Sequence, residues 1–237
     1  MKLIKAIGLP MLAVCVLGMT GCSSMTNTGK GALIGGGGGA GLGAGIGALI
    51  GGGKGAAIGS AIGAAVGAGA GVLIGKKMDK QQAELQAELA KQAQIEQTTD
   101  ANGLQAIKVT FNGGILFPTN GTTLSASAKN DLTKFAASLI QNPDTNVQIY
   151  GFTDDTGTLA VNERVSTGRA DAVRNYLLNS GVAASRLSAE GLPMQDYIAS
   201  NATPEGRAQN RRVEIYITAN QQMIDAANNG TLQSDSP

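Results

Sequence analysis

Glycine recurs at every fourth position from Gly31 to Gly75 without a break, and no other feature limits so sharply what this chain can become. In water each interior glycine costs a helix about 1 kcal/mol against alanine. In a membrane or a tight helix pair the same glycines let backbones approach closely, as in G-x-x-x-G packing. A period of four exceeds 3.6, so the stripe drifts and favours right-handed crossing. Gly51-Gly52-Gly53-Lys54 divides the run into two uncharged arms, 31–50 and 55–75, with Lys30, Lys54 and Lys76-Lys77 at their ends. Each arm is about 30 Å long if helical. The pattern predicts a membrane-associated hairpin over 31–75, with self-association through the glycine stripes. The alternative is a flexible Gly-rich linker, against which the scarcity of serine and the intervening Ile and Leu argue. A phosphate-cradling loop is ruled out, because Ala48 and Gly55 stand where that pattern demands glycine and Ser or Thr.

The segment before the glycines reads as an address. Lys2 and Lys5 form a basic start, and Ala6 to Met19 is an apolar stretch of signal-peptide length rather than spanning length. Met19-Thr20-Gly21-Cys22 is similar to a bacterial lipobox. Residues 1–21 are then a lipoprotein signal peptide, Cys22 the lipidated first residue, and 22–30 a short linker. Ser23 after the cysteine resembles the form sorted to the outer membrane. Cys15 lies within the discarded segment, so one acylated cysteine explains a periplasm-facing chain without a disulfide. An ordinary cleaved signal leaving a free thiol is the alternative.

Composition removes whole classes of chemistry. There is no histidine, hence no usual general base and no His-containing zinc site. Eight aromatics, no tryptophan and a formal charge of +1 leave neither stacking platforms nor an electrostatic footprint for nucleic acid. No metal or cofactor is implied.

Residues 78–97 are rich in helix formers, with Met78, Leu85, Leu89 and Ala93 at roughly heptad or four-residue spacing. They predict a polar helix with a narrow apolar seam, a spacer of about 30 Å or a short coiled coil, and 76–103 is read as helical spacer and linker. A globular domain is expected over 104–220. Ile107, Val109 and Phe111 alternate as a strand, and Asn112-Gly113-Gly114 turns the chain. Ser125 or Ser127 caps a helix running to about Gln141. A strand at 147–152, a helix at 160–179, a short strand at 186–190, a helix at 204–209 and a last strand through Val213, Ile215 and Ile217 follow. The alternation implies an α+β domain with helices packed on a mixed sheet. The polar tail 221–237 is expected to be disordered.

The candidate site lies at 147–174. Strand 147–152 runs into the turn Thr153-Asp154-Asp155-Thr156-Gly157, and a helix follows with Val161, Val165, Ala172 and Tyr176 on one face and Val173 and Leu177 beside them. Arg169 projects from the edge of that stripe, where an arginine seldom lacks an anionic partner. Asp154 and Arg169 are expected to face one another across a small cleft. Such a pair suits a zwitterion, the acid taking an ammonium and the guanidinium a carboxylate. The alternative is an internal salt bridge pinning turn to helix.

The run from Ile149 through Tyr-Gly-Phe-Thr-Asp-Asp-Thr-Gly157, the block from Asn162 to Arg169, and Gly206-Arg-Ala-Gln-Asn-Arg-Arg-Val-Glu-Ile215 together resemble the OmpA-like peptidoglycan-binding domain. The glycine run resembles the glycine zippers of bacterial envelope lipoproteins. The resemblance implies a non-enzymatic grip on peptidoglycan, in which Asp154, next to Thr153, and Arg169 hold the diaminopimelate of the stem peptide. Asn162, Arg207, Asn210 and Arg211 match positions that shape or border the family's pocket. Two departures touch the pocket mouth: Leu116 to Gly121 lacks an acid, and Tyr197 stands where proline is common. The implied protein is an outer-membrane lipoprotein that tethers the membrane to the wall. Rival readings are a self-associating membrane pore built on the glycines, and a cell-wall hydrolase using Asp154, Asp155 and Glu163 as paired carboxylates.

Overall fold

The computed structural model describes residues 66–232, apart from 68, 101, 119 and 120. The expectations for the signal segment, for Cys22 and for most of the glycine run fall outside the described residues. Among those described, no helix is long and apolar enough to cross a membrane.

The described residues form five strands, the first of them not expected from the sequence: β1 (Ala93–Thr99), β2 (Gln105–Asn112), β3 (Thr145–Phe152), β4 (Leu187–Leu192) and β5 (Arg212–Ala219). They lie in the order β1-β2-β5-β3-β4. All neighbours are antiparallel except β3 and β4, which are parallel and joined through a helix, as a parallel connection requires. The helices are α1 (Ala70–Leu89), α2 (Gly113–Leu116), α3 (Ala126–Gln141), α4 (Leu159–Asn179), α5 (Pro204–Asn210) and α6 (Gln221–Asn228). This is the expected α+β arrangement on a mixed sheet.

Period-two alternation decides which side chains reach the helices. Ile107, Val109 and Phe111 of β2 stand opposite Ile217, Ile215 and Val213 of β5, and all six are buried in one cluster with Val147 and Ile149 of β3. Each such side chain is worth about 1.5–3 kcal/mol of transfer free energy. Phe135 of α3 meets Phe111 edge-on at 6.3 Å between centroids. The intervening residues of β5 form a polar network on the other face. Arg212 Nε donates to Glu214 Oε1 at 2.7 Å, Lys108 Nζ lies 3.0 Å from the same oxygen, and the Tyr216 hydroxyl donates to Oε2 at 2.8 Å. Burial works against the charge of Glu214, but these partners outweigh it and hold its carboxyl below the usual range.

The segment before the expected domain differs from its reading. The polar helix expected over 78–97 is two elements: α1 starts at Ala70 and ends at Leu89, and 93–99 is strand β1, paired with β2 from Ala93↔Phe111 to Thr99↔Gln105. It is no free spacer, because Ile74, Met78, Leu85 and Leu89 are all buried in the main core. Lys77 Nζ binds Asp144 Oδ2 at 3.0 Å, and Gln105 Nε2 donates to Asp79 Oδ1 at 2.7 Å. Residues 70–75, assigned to the second glycine arm, form the first turns of this docked helix. The tail is corrected likewise. Asn220 caps α6 by accepting from Met223 N, and Met223 and Ile224 are fully buried. Asn112-Gly113-Gly114 opens the one-turn helix α2 rather than a plain reversal.

Helix α4 is also rotated from its expected face. Its buried positions are Asn162, Ser166, Arg169, Ala170, Val173 and Leu177, while Val161 is 43% exposed. The cause is close approach: Gly151 of β3 faces the carbonyl of Ser166, and Gly191 of β4 faces Thr167 N, with no room for a Cβ at either glycine. A helix seated that tightly buries small or polar residues over the glycines and leaves Val161 and Val165 at the rim, while Val173 further along is buried.

Candidate functional site

At the end of β3 the chain makes a polar turn fixed by its own side chains. Asp154 Oδ1 accepts from Thr156 N at 2.9 Å, and Gly157 takes φ +92, a conformation that favours glycine. Thr158 caps α4 by accepting from Val161 N. Asn162, one turn in, donates through Nδ2 to the carbonyls of Thr156 and Thr158. Thr153, at the root of the turn, accepts from Met194 N at 3.0 Å, which ties the turn to the loop after β4.

Asp154 and Arg169 do come to one cleft, but not as a pair. The Asp154 carboxylate is bound by Arg211, Nη1 to Oδ2 at 2.5 Å. Arg211 closes α5, and its carbonyl accepts from Gly113 N at 2.7 Å, so this half-exposed guanidinium reaches the turn. Burial pushes the Asp154 carboxyl upward, but the Thr156 and Arg211 hydrogen bonds prevail and hold it below the usual range. Arg169 is 3% exposed. Its Nε donates to Gly121 O at 3.1 Å and its guanidinium lies over the Phe117 ring, 5.3 Å from the centroid. Its Nη1 is buried without a hydrogen-bond partner. Burial, and then repulsion from Arg211, lower its pKa, with Asp154 opposing.

The cleft encloses about 730 Å³, and Thr153, Asp154, Asn162, Arg169, Arg207 and Arg211 all line it. Arg207 Nη1 donates to Asn201 O at 2.7 Å. Asn210 is elsewhere: fully buried, it accepts from Ile198 N and Ala199 N and donates to Ala199 O and Asn201 Oδ1. Its work is to clamp the loop before α5, and it does not line the cleft. Asp155 and Glu163 are exposed and outside the walls.

Sequence reading missed Arg164, which lines the cleft with Val161, Val165 and Gly168. These positions share a helix face at three- and four-residue spacing, so the signal was present. The resemblance alone places the segment holding Phe117 and Gly121 at the pocket mouth, and only the fold shows that these two residues touch Arg169, from a loop some fifty residues earlier.

The fold is similar to that of OmpA-like domains. Residues 116–211 match the model of the OmpA family, and residues 1–79 match the YMGG-like Gly-zipper model, so both resemblances read from the sequence stand. Among individual relatives, the probable lipoprotein YiaD of Escherichia coli is 44% identical over 104 residues, covering 44% of this chain and 48% of that protein. The peptidoglycan-binding protein ArfA of Mycobacterium tuberculosis is 43% identical over 112 residues, covering 47% and 34%. The chain thus spans half or less of these relatives. Of solved structures, a putative MotB like protein from Desulfovibrio vulgaris aligns with TM-score 0.53 and 28% identity, over 62% of this chain and 93% of that one. The cell wall anchor of the T6SS from Pseudomonas aeruginosa aligns with TM-score 0.50 and 28% identity, over 60% and 96%.

Proposed function

We propose that this protein is an outer-membrane lipoprotein, anchored through Cys22, whose periplasmic C-terminal domain binds peptidoglycan without cleaving it and so tethers membrane to wall. The ligand group is diaminopimelate of the stem peptide. One observation carries the reading: Arg169 is almost wholly buried at a cleft wall with Nη1 unpartnered. An uncompensated buried guanidinium is costly, and a ligand carboxylate supplies the missing acceptors. The ammonium of the same ligand goes to Asp154. Asp154 accepts from Thr156 and Arg211, and its two oxygens together offer about four acceptor positions, so the ligand ammonium shares the carboxylate with them. The family match and the peptidoglycan-binding relative support the reading, and the cleft is lined by Asp154 but not by Asp155 or Glu163, which favours it over the hydrolase rival.

Isothermal titration with a diaminopimelate-containing muropeptide tests it. Asp154→Ala and Arg169→Ala should each weaken binding about tenfold or more, the value of one charge-assisted contact. Unchanged affinity in both variants, or release of soluble muropeptides from purified sacculi, would overturn it.

A further inference from the structure

Four guanidinium side chains, Arg164, Arg169, Arg207 and Arg211, line the cleft with a single carboxylate, Asp154. Arg211 already neutralises that carboxylate, and among the described residues no acid lies within ion-pair distance of the other three. The cleft is therefore cationic even with its own acid counted, and one zwitterion, carrying no net charge, would leave it so.

The hydrogen bonds show where anions fit. Arg169 spends Nε on Gly121 O and keeps Nη1 buried without a partner at the cleft wall. Arg207 spends Nη1 on Asn201 O and presents its Nε–Nη2 edge. The Arg207 edge is a two-donor fork of the kind that holds a carboxylate bidentately. Both arginines are oriented by a backbone carbonyl, so neither side chain must be placed when ligand arrives.

Building on the function proposed above, we infer that the cleft is a two-carboxylate site: Arg169 takes the carboxylate of the diaminopimelate zwitterion, and Arg207 a second carboxylate of the same stem peptide. In a stem peptide that second group is either the α-carboxylate of the γ-linked D-glutamate or the terminal carboxylate of diaminopimelate itself. Amidation of the responsible group removes the charge and one acceptor, so the site reads the amidation state of the wall.

Calorimetry of the full-length protein in detergent with three synthetic L-Ala-γ-D-Glu-diaminopimelate tripeptides tests this. One is unmodified, one is amidated on D-glutamate, and one is amidated at the terminal carboxyl. The side-chain zwitterion is intact in all three. Expected is a loss of about tenfold for one amide form, a loss absent in Arg207→Gln and restored in Arg207→Lys. Affinities within twofold across the three peptides would overturn the second carboxylate while leaving the proposed function standing. A loss that persists in Arg207→Gln would overturn the assignment to Arg207, and failure of every peptide to bind would overturn both the inference and the function it rests on.

Discussion

A methyl group added at Gly151 would lie 2.2 Å from the Ser166 carbonyl oxygen, 3.0 Å from its carbon and 3.3 Å from Ala170 N. All three belong to the backbone of α4, so no side-chain rotation relieves the overlap. Restoring an ordinary contact requires the helix to lift by about 1 Å, and a gap of that size forfeits about a quarter to a half of the local dispersion energy. Val173 and Leu177, fully buried on that face, are each worth about 1.5–3 kcal/mol. With the strain of overpacking, Gly151→Ala should cost about 2–4 kcal/mol, a large share of a typical total of about 5–15 kcal/mol. Urea unfolding at neutral pH measures this as a lower midpoint at unchanged slope. Because Arg169 lies between Ser166 and Ala170, the folded variant should also bind muropeptide more weakly. Gly69→Ala is the control: nothing lies within 4 Å of its added methyl, and its stability should stay within about 0.5 kcal/mol of the parent. A midpoint for Gly151→Ala equal to that of the control would refute the idea that helix-to-strand distance positions the cleft.

Other consequences can be checked directly. Met78→Ala should destabilise the whole fold by about 2–5 kcal/mol, seen in one cooperative melt; separate melting of α1 would show that it is not part of the core. Acid should weaken the protein through Asp154 and Glu214, whose carboxyls are both held below their usual ranges. A depressed folded-state pKa gives stability that is complete above the unfolded value and lost as pH falls through the folded one. The melting temperature should therefore be level near neutrality and fall below about pH 4, with a shallower fall in Asp154→Asn.

The sheet's central strands were legible because Ile107-Val109-Phe111 and Val213-Ile215-Ile217 show their burial as alternation. β1 was not. Ala93, Ile95, Gln97 and Thr99 carry one large apolar side chain among helix-forming neighbours, and the strand is set by its backbone ladder to β2, a tertiary choice that overrides local preference. Met78, Leu85 and Leu89 were seen as a seam, but a seam does not name its partner, and a docked helix and a coiled coil write the same pattern. At the site, the turn and the meeting of Asp154 and Arg169 at one cleft could be read from residue types, while Arg207 and Arg211 enter only through the family resemblance. Which arginine holds Asp154 could not be read, since Arg211 reaches it only because its backbone is fixed on Gly113.

The ion pair between Lys77 and Asp144 ties α1, which the core already holds, to the residue before β3, the side from which the proposed tether would pull. Asp144 immediately precedes β3 and the cleft turn follows it, so anchor side and gripping side stand at opposite ends of one eight-residue strand, about 23 Å apart at the usual rise. A pull between them runs along β3, whose flanks are laced to β5 and β4. Such a pull loads the hydrogen bonds of both ladders side by side rather than peeling them one at a time, the orientation in which a sheet resists longest.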